Sequence, residues 1–407
     1  MDMQTNAGAS APAAPPARAW LAVGSIAIGA FALVTAEFLP VGLLPQIARD
    51  LGITEGQAGL MVTTPGFIAA LAALGVTSLA GTLDRRKVLV GLVALLVVSN
   101  IIVATASGLI ALVVGRALLG VAVGGFWTIG GSLGPRLVGH ARGAKATSLI
   151  FSGVSLGTVA GVPAGALLGS AVGWRASFLA AAAISLIVLT ALLCSLPQLR
   201  PEQQSGLRAL PGTVRIRNIR IGLVAIALIF VAQFASYTYI TPFLHDVTDI
   251  SIAQISGVLL AYGLAGFVGN LVGGWAASRN SRSALVGTAA LMGASIVGLL
   301  VLGTNAPAAI AMVVAWGLAF GMLPIVMQTW MFSAAPDRLE SVASVFVSSA
   351  QLFIGVGALV GGLLVDHLSV SSALAAGAAF ALATAVLTYR LTAGDRIAVR
   401  TPAPQAR

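Results

Sequence analysis

Residues 19–44 read AWLAVGSIAIGAFALVTAEFLPVGLL, an apolar run that is long enough to cross a bilayer and that carries one acidic residue, Glu37. A membrane-spanning helix needs about 20 apolar residues, so this run predicts a transmembrane helix. A carboxylate near the centre of such a helix costs about 2.5–3.5 kcal/mol on insertion scales. Because charged groups at this depth usually serve a purpose, Glu37 is the first candidate functional residue.

The whole chain, like residues 19–44, is rich in apolar residues and poor in charged residues. Of the 407 residues, 58% are hydrophobic and only 8% are charged, and the mean hydropathy is +1.00. A soluble domain carries about 25% charged residues, and backbone groups in lipid must bond within their own segment, which favours helices. The chain is therefore predicted to be an all-α integral membrane protein. The twelve apolar stretches that predict transmembrane helices are 20–44, 57–80, 88–106, 109–132, 146–170, 174–196, 221–243, 253–277, 284–303, 307–333, 342–365 and 372–391.

The basic residues are distributed unevenly between the two sides of the predicted membrane. The turns after odd-numbered spans hold only Arg49 and Arg175, whereas the other turns and both tails hold the remaining basic residues outside the span cores. This positive-inside pattern predicts that both termini are cytoplasmic. The net charge of +10 is thus a signal of topology, and no nucleic-acid partner is expected.

The chain reads as two copies of one unit. A shift of 196 residues aligns Arg86 with Arg282 and Glu37 with Gln233. Duplicated six-helix halves are an established transporter plan, with the substrate site at mid-membrane between the halves. We predict a disordered cytoplasmic tail, a six-helix bundle, a cytoplasmic linker, a second six-helix bundle and a second cytoplasmic tail, at 1–18, 19–196, 197–220, 221–391 and 392–407.

Glycines at a spacing of four mark the fifth predicted span. Gly157, Gly161, Gly165 and Gly169 share one helix face, where small residues allow close helix packing. Pro163 lies within this run and is expected to kink the helix. The face serves either static packing or a sliding contact between the halves, and the sequence leaves both open.

No group of residues is typical of an enzyme. The three histidines, His140, His245 and His367, fall in predicted turns and show no metal-ligand spacing, and no GxxxxGK[ST] phosphate loop is present. The single cysteine, Cys194, excludes an internal disulfide. The sequence therefore predicts no enzymatic activity, no cofactor and no metal site.

Three motifs resemble those of the major facilitator superfamily, in its twelve-span drug:proton antiporter branch. GTLDRRKVLVG (81–91) is similar to the cytoplasmic loop motif of that family, although it lacks the usual second glycine. GRALLGVAVGG (115–125) resembles the arginine motif of span 4, and GTVAGVPAGALLG (157–169) resembles the glycine and proline motif of span 5. The resemblance implies a major facilitator fold with twelve helices in two pseudo-symmetric six-helix bundles.

Shorter stretches resemble particular subgroups of that family. TAEFLPVGLLPQIARDLGIT (35–54) is similar to the span 1 signature of sugar and nucleoside efflux transporters. GGFWTIGGSLGPRLV (124–138), TYITPF (238–243) and QTWMFSAAPDRLES (328–341) look most like purine ribonucleoside efflux pumps. The resemblance implies efflux of a small solute from a bacterial cytoplasm across the inner membrane.

Two buried charges are the expected proton-coupling residues. Glu37 and Arg116 lie at similar depth, about 10 Å from the outer ends of their spans at 1.5 Å per residue. The resembled fold places both spans at the central cavity, so a direct ion pair or a longer-range interaction is expected. A fixed structural pair is the alternative.

In the loop motif, the resemblance implies a cytoplasmic gate at Asp84, Arg85 and Arg86.

Aromatic and neutral polar residues on spans 4, 7 and 10 are the expected lining of the substrate cavity. They suit a flat, uncharged, hydrogen-bonding solute, and they do not suit a phosphate or a dicarboxylate. These residues are Trp127, Gln233, Ser236, Tyr237, Trp316, Phe320, Met327 and Gln328.

The expected function is proton-coupled efflux of a small neutral solute, most specifically purine ribonucleosides such as inosine or guanosine. The predicted partners are this solute, protons and the lipid bilayer, and the expected state is a monomer. Multidrug efflux, sugar efflux and a proton-independent uniporter are the alternatives. An imposed pH gradient distinguishes the uniporter, because it drives no net solute movement there.

Overall fold

The computed structural model describes residues 17–80, 83–130, 133–199 and 210–393. Its regular elements are all helical, which confirms the predicted all-α class. The predicted tails lie outside these residues except for their innermost positions, as do much of the predicted linker and the first two residues of the loop motif. The helices are α1 (Ala17–Leu51), α2 (Glu55–Ala80), α3 (Arg85–Ala104), α4 (Leu109–Gly130), α5 (Leu133–Val138), α6 (His140–Leu156), α7 (Val162–Val172), α8 (Trp174–Ser195), α9 (Leu210–Val214), α10 (Arg217–Tyr237), α11 (Ile240–Asp246), α12 (Ile252–Leu302), α13 (Ala306–Ala334), α14 (Leu339–His367) and α15 (Val370–Ala393).

Within the described residues, 11 helices are long and apolar enough to cross a membrane. One of them, α12, has 51 residues and contains the eighth and ninth predicted spans. Asn280 interrupts it with extended backbone angles, φ −159° and ψ 98°. The Asn280 side chain accepts hydrogen bonds from the amides of Arg282 and Ser283, at 3.1 and 3.0 Å. Asn280 therefore caps a new helix at this position.

The helix positions repeat along the chain, as the aligned motifs predict. We call residues 17–199 the first half and residues 210–393 the second half. The starts of α8 and α15 are Trp174 and Val370, which lie 196 residues apart. Asp84 caps α3, and Asn280, which lies 196 residues later, caps the second part of α12. The two halves thus have the same order of helices.

Two predicted spans are interrupted in the structure. A π-helical turn at Gly157–Gly161 divides the fifth span into α6 and α7, and Pro163 is the second residue of α7. The seventh span, predicted as one helix over 221–243, ends at Tyr237 and resumes as α11. A π-turn inserts one extra residue per turn and often lies at a functional position.

The turns between helices define two ends of the molecule. α1 begins and α15 finishes at one end, which we call the near end, and the opposite end is the far end. The turn between α1 and α2 meets the turn between α14 and α15 at the far end, where Thr54 contacts Asp366. Large apolar side chains such as Ile110 and Val301 are exposed on the outside of the bundle, 82% and 72% respectively, as lipid contact requires.

Candidate functional site

Arg116 is completely buried and binds main-chain carbonyl groups of two neighbouring helices. Its Nε donates to the Met61 carbonyl at 2.5 Å. Its two terminal nitrogens donate to the carbonyls of Ala36 and Glu37, each at 2.7 Å. The Arg116 guanidinium therefore joins α4 to α1 and α2 through backbone oxygens.

Two prolines explain why carbonyls are free for Arg116 at this depth. A proline has no amide hydrogen, so the carbonyl four residues before it loses its helical partner. Pro40 in α1 has this effect on Ala36, and Pro65 in α2 has it on Met61. An unpaired carbonyl in a buried position costs about 1–3 kcal/mol. Arg116 supplies the missing donors.

Glu37 is also buried, with 3% of its surface exposed. Its carboxylate has no ion pair with any described residue, and its Oε1 atom has no hydrogen-bond donor among them. Of the two arrangements expected for Glu37 and Arg116, the direct ion pair is absent from the described contacts, because Arg116 binds the main-chain carbonyl of Glu37. The Arg116 guanidinium nevertheless lies beside Glu37, since it binds the main chain of that residue. A longer-range interaction between the two residues, the other expected arrangement, stays a prediction.

A residue of the second half completes the surroundings of the Glu37 carboxyl. The side chain of Gln351 on α14 lies near it, and Gln351 Oε1 is likewise buried without a hydrogen-bond partner among the described residues. Gln351 is 7% exposed. Sequence reasoning missed Gln351, because its repeat counterpart, Ser155, gives no sign of this role.

Gln233, the repeat counterpart of Glu37, lies in a fully paired environment. Its Nε2 donates to the Tyr262 hydroxyl at 2.8 Å, and its Oε1 accepts from Trp316 Nε1 at 2.7 Å. Gln233 and Trp316 have no exposed surface. This network joins α10, α12 and α13 in the second half. The sequence predicted two of its members and missed Tyr262.

Aromatic rings form a stacked group beside this network. The Tyr237 ring lies parallel to the Tyr262 ring, with centroids 4.6 Å apart, and both stack on Phe320 at 6.5 and 6.1 Å. Phe234 stacks on Phe38 of the first half at 5.6 Å. The structure thus brings three predicted cavity residues, Tyr237, Trp316 and Phe320, into one cluster that reaches the boundary between the halves.

The other predicted cavity residues lie apart from this cluster. Ser236 is buried and directs its hydroxyl toward the Ala373 carbonyl on α15, at 3.5 Å. Met327 is fully buried in the core of the second half, and Gln328 beside it is half-buried. Trp127 packs within the first half, on Phe126 and Phe151.

The predicted gate residues at the near end make contacts within the first half. Asp84 Oδ1 accepts from the amides of Arg86 and Leu199, at 2.8 and 2.9 Å. Arg86 donates to the Leu193 carbonyl at 2.6 Å, and Arg85 is 4% exposed. Burial raises the pKa of Asp84, but the amides of Leu199 and Arg86, together with the charges of Lys87 and Arg86, outweigh the effect of burial and hold the pKa of that carboxyl below its usual range.

The far end has hydrogen bonds between the halves. Thr54 donates its hydroxyl to Asp366 at 2.7 Å, and the Gly56 amide donates to the same carboxylate at 2.9 Å. The Thr241 hydroxyl of α11 donates to the Val41 carbonyl of α1 at 2.8 Å. Val41 lies four residues before Pro45, so its carbonyl also lacks a helical donor. The described contacts therefore hold the two halves together at the far end.

The glycine face of the fifth span packs against α1, the helix that carries Glu37. An added Cβ on any of the four predicted glycines would strike α1, at 3.0 Å from the Phe31 carbonyl in the case of Gly157. Both helices repeat every four residues, so the glycines meet successive turns of α1. The facing pairs are Gly157–Phe31, Gly161–Thr35, Gly165–Leu39 and Gly169–Leu43.

Comparison with known proteins agrees with this architecture. The family model described as Major Facilitator Superfamily matches residues 26–354. The chain is 36% identical over 368 residues to the purine ribonucleoside efflux pump NepI of Salmonella paratyphi A, covering 90% of this chain and 93% of that protein. The protein of the same name from Salmonella typhi matches at the same identity and coverage.

Solved structures share the fold. The crystal structure of a bacterial homologue of the human lysosomal transporter Spinster, inward-facing and unoccupied, superposes with a TM-score of 0.71 at 16% identity, covering 97% of this chain and 100% of that chain. The occupied, inward-facing form also gives a TM-score of 0.71. The chain belongs to the major facilitator superfamily, and it is a multi-pass transporter of a small molecule and not an enzyme.

Proposed function

We propose that this protein moves a small neutral solute, most specifically a purine ribonucleoside, out of a bacterial cytoplasm in exchange for protons. It does so in the inner membrane as a monomer with both termini in the cytoplasm. The curated relatives carry the name of purine ribonucleoside efflux pumps at 36% identity over 90% of this chain, which supports the substrate class. The positive-inside pattern supports the orientation.

The buried Glu37 carboxyl, which has no ion pair among the described residues, is the observation that carries the proton coupling. Burial in low dielectric disfavours a charged carboxylate unless an opposite charge or hydrogen-bond donors compensate. Each of the three guanidinium nitrogens of Arg116 donates to a backbone carbonyl instead. A bound proton is therefore the neutralising partner that Glu37 can gain and lose during transport. With one carboxylate in the predicted span cores, one proton per cycle is the simplest stoichiometry.

The aromatic cluster supports a flat, uncharged solute. Tyr237, Tyr262 and Phe320 present nearly parallel rings, with interplanar angles of 16–23°. Such rings favour stacking with a planar ring system. Phe38 and Phe234 extend this surface to the boundary between the halves. Lipophilic drugs share this chemistry and sugars share the hydrogen bonding, so both belong in the substrate test.

Transport in inside-out vesicles tests the function. Vesicles with an acidic lumen receive labelled inosine or guanosine, and a panel of drugs and sugars is measured in parallel. We expect the proton gradient to drive nucleoside accumulation. If the gradient accelerates none of the solutes, the coupling is wrong, and equilibration without accumulation identifies a uniporter. Accumulation of a drug or a sugar without nucleosides overturns the substrate assignment.

Glu37→Gln tests the assigned residue within the same assay. We expect it to abolish gradient-driven accumulation while solute exchange between the two sides continues, since the neutral amide mimics the protonated carboxyl. Asp50→Asn is the matched control, because Asp50 also lies on α1 but pairs with Arg175 at the exposed far end. Gradient-driven accumulation by Glu37→Gln at the wild-type level would exclude Glu37 as the proton carrier.

A further inference from the structure

We propose that Asp366 holds the far end of the protein closed, through a contact between the halves that breaks when this end opens. We call this contact the far-end latch. In a transporter built of two repeats, the solute site lies between the halves and opens to each side in turn. Opening at the far end therefore requires the halves to separate there. The inference rests on the transporter fold and does not depend on the proposed solute or on proton coupling.

The Asp366 carboxylate binds the start of a helix in the other half. Asp366 lies on α14 of the second half, and it accepts from the Thr54 hydroxyl at 2.7 Å and from the Gly56 amide at 2.9 Å. Both donors belong to the start of α2 in the first half. A Cβ added to Gly56 would overlap the Asp366 carboxyl group. The absence of a side chain at position 56 thus lets the carboxylate reach the amide.

The two helix ends that meet at the latch favour the contact electrostatically. Asp366 lies in the last turn of α14, where the partial negative charge of the helix end disfavours a carboxylate. The N-terminal end of α2 carries the opposite partial charge and favours one. Asp366 is therefore more stable against α2 than on an α14 that has moved away. This difference stabilises the closed far end relative to the open one.

The latch can also break without leaving a buried group unpaired. Asp366 and Thr54 are both exposed, so water can replace their hydrogen bonds when the halves separate. Exposed charge contacts are weak compared with buried ones, because water competes for the same groups. The carbonyl contacts of Arg116, by contrast, are completely buried. The latch therefore suits a contact that forms and breaks in each transport cycle.

The repeat shows that the duplicated fold does not by itself produce the latch. The position equivalent to Asp366 holds Ser170, whose hydroxyl donates to the Leu167 carbonyl of its own helix at 2.8 Å. The helix equivalent to α2 is the first part of α12. Its N-terminal end is capped locally, because the side chains of Ser251 and Gln254 each accept from the backbone amide of the other. One of the two equivalent sites thus joins the halves, whereas the other has local bonds.

The Tyr239 ring fills the gap between α2 and α14 beside the latch. Its hydroxyl donates to the Ala358 carbonyl of α14 at 3.0 Å, and the residue has no exposed surface. A Cβ added to Gly59 of α2 would overlap this hydroxyl, and one added to Gly361 of α14 would lie 2.8 Å from the ring. Ala58 packs in the same cluster and is fully buried. A group at position 58 is therefore shielded from water while the latch is closed.

Cysteine labelling of the purified full-length protein in nanodiscs tests the latch without solute or proton gradient. Cys194→Ser removes the single native cysteine, and Ala58→Cys places a reporter thiol beside the latch. A polar maleimide reacts with this thiol when the far end opens. We expect Asp366→Ala to raise the labelling rate roughly tenfold, as loss of a hydrogen bond to a charged group predicts. An unchanged rate in folded Asp366→Ala overturns the inference.

Two controls separate opening of the far end from general loosening. Asp50→Ala removes another far-end carboxylate, whose partners Trp174 and Arg175 belong to its own half, and it should leave the labelling rate unchanged. A second reporter, Ala122→Cys, is buried in the core of the first half and should react at the wild-type rate in Asp366→Ala. Equal acceleration in either control would show general loosening and would also overturn the inference.

The Thr54 bond provides a test that does not depend on one variant alone. Thr54→Val removes the hydroxyl that donates to Asp366, and it should raise the labelling of Ala58→Cys in the wild type but add little in Asp366→Ala. This hydroxyl also caps α2 by accepting from the Gln57 amide at 3.0 Å, a loss that is common to both backgrounds. Thr54→Ser keeps the hydroxyl and should label at the wild-type rate. Equal increases from Thr54→Val in the two backgrounds would show that the two residues act independently, which overturns the latch.

Discussion

The two halves have the same helix order but fill their interiors with different side chains. Where the first half carries Glu37, the second half carries Gln233, 196 residues later. Glu37 lacks an ion pair among the described residues, whereas Gln233 has both ends of its amide paired. The first half thus carries the group that can change charge, and the second half carries a fixed polar network. The duplicated fold separates these two tasks.

The two halves also differ in the size of the side chains at equivalent interior positions. Gly66 and Gly120 of the first half correspond to Tyr262 and Trp316 of the second half. A Cβ on Gly120 would lie 2.7 Å from the Ile68 side chain, so α2 and α4 are in close contact. The equivalent helices of the second half, the first part of α12 and α13, also touch, since a Cβ on Gly317 or Gly321 would meet the α12 backbone, and there the aromatic residues Tyr262 and Trp316 bind Gln233. Substitutions that exchange residues between equivalent positions therefore test what each half requires.

The largest effect is expected for Arg116→Met, because methionine is the residue at the equivalent position 312. The change removes the donors to three buried carbonyls, two of which have no helical partner because of Pro40 and Pro65. At about 1–3 kcal/mol for each unpaired group, we expect a loss of roughly 3 kcal/mol or more. The thermal unfolding midpoint in detergent measures it.

Arg116→Lys separates the charge from the geometry. A lysine keeps the positive charge near Glu37 but cannot reproduce the planar fork that reaches α1 and α2 together. We expect it to be folded but less stable than the wild type. If Arg116→Met unfolds at the wild-type temperature, the carbonyl contacts do not contribute to stability as described.

Gly120→Ala should have the next largest effect. The added methyl group would meet the Pro65 carbonyl at 2.9 Å as well as Ile68, and overpacking of this kind costs about 1–3 kcal/mol. Better helix propensity offsets up to about 1 kcal/mol of it. A lower thermal midpoint than wild type is the expected result. A midpoint at or above wild type would show that α2 and α4 can separate without cost.

The sequence predicted the fold well because its signals are local. Long apolar runs, the distribution of arginines and the repeat at 196 residues each depend on composition or spacing alone. The packing of Gly157 and its companions was likewise predictable, because a spacing of four places them on one face. What they face, α1, required the structure.

The site was predicted less completely because its contacts join distant segments. Glu37 and Arg116 were identified as charges in apolar runs, but the bonds from Arg116 to backbone carbonyls depend on how three helices cross. Prolines give a signal that could have been used, since Pro40 and Pro65 each free a carbonyl that needs a donor. Gln351 and Tyr262 are ordinary residues in sequence, and only the structure shows which groups surround them.

The two helix caps at the near end offer a smaller and more direct comparison. Asp84 and Asn280 occupy equivalent positions, and each accepts two backbone hydrogen bonds. One bond of Asp84 comes from Leu199 beyond α8, whereas both bonds of Asn280 are local. Loss of a cap costs about 1 kcal/mol. We expect Asp84→Ala to lower the thermal midpoint more than Asn280→Ala, and equal losses would show that the Leu199 bond contributes nothing.

The Asp84 contribution should also depend on pH. Because the pKa of this carboxyl is lowered in the folded protein, its stabilisation is present above the unfolded pKa of about 4 and is lost as the pH falls through the folded value. The difference in thermal midpoint between wild type and Asp84→Ala should therefore shrink under acid conditions. The difference for Asn280→Ala should stay constant, because an amide does not titrate in this range.

The smallest effect is expected where the halves are alike. Gly91 and Gly287 are equivalent positions, both are exposed, and an added Cβ at either one meets nothing within 4 Å. Alanine at either position should raise the thermal midpoint slightly, by a gain of about 0.5–1 kcal/mol in helix stability. Since Gly91→Ala carries the same chemical change as Gly120→Ala, it also serves as the control for that variant. A loss of stability at Gly91 or Gly287 would mean that the cost of Gly120→Ala comes from the helix backbone and not from the contact of α2 with α4.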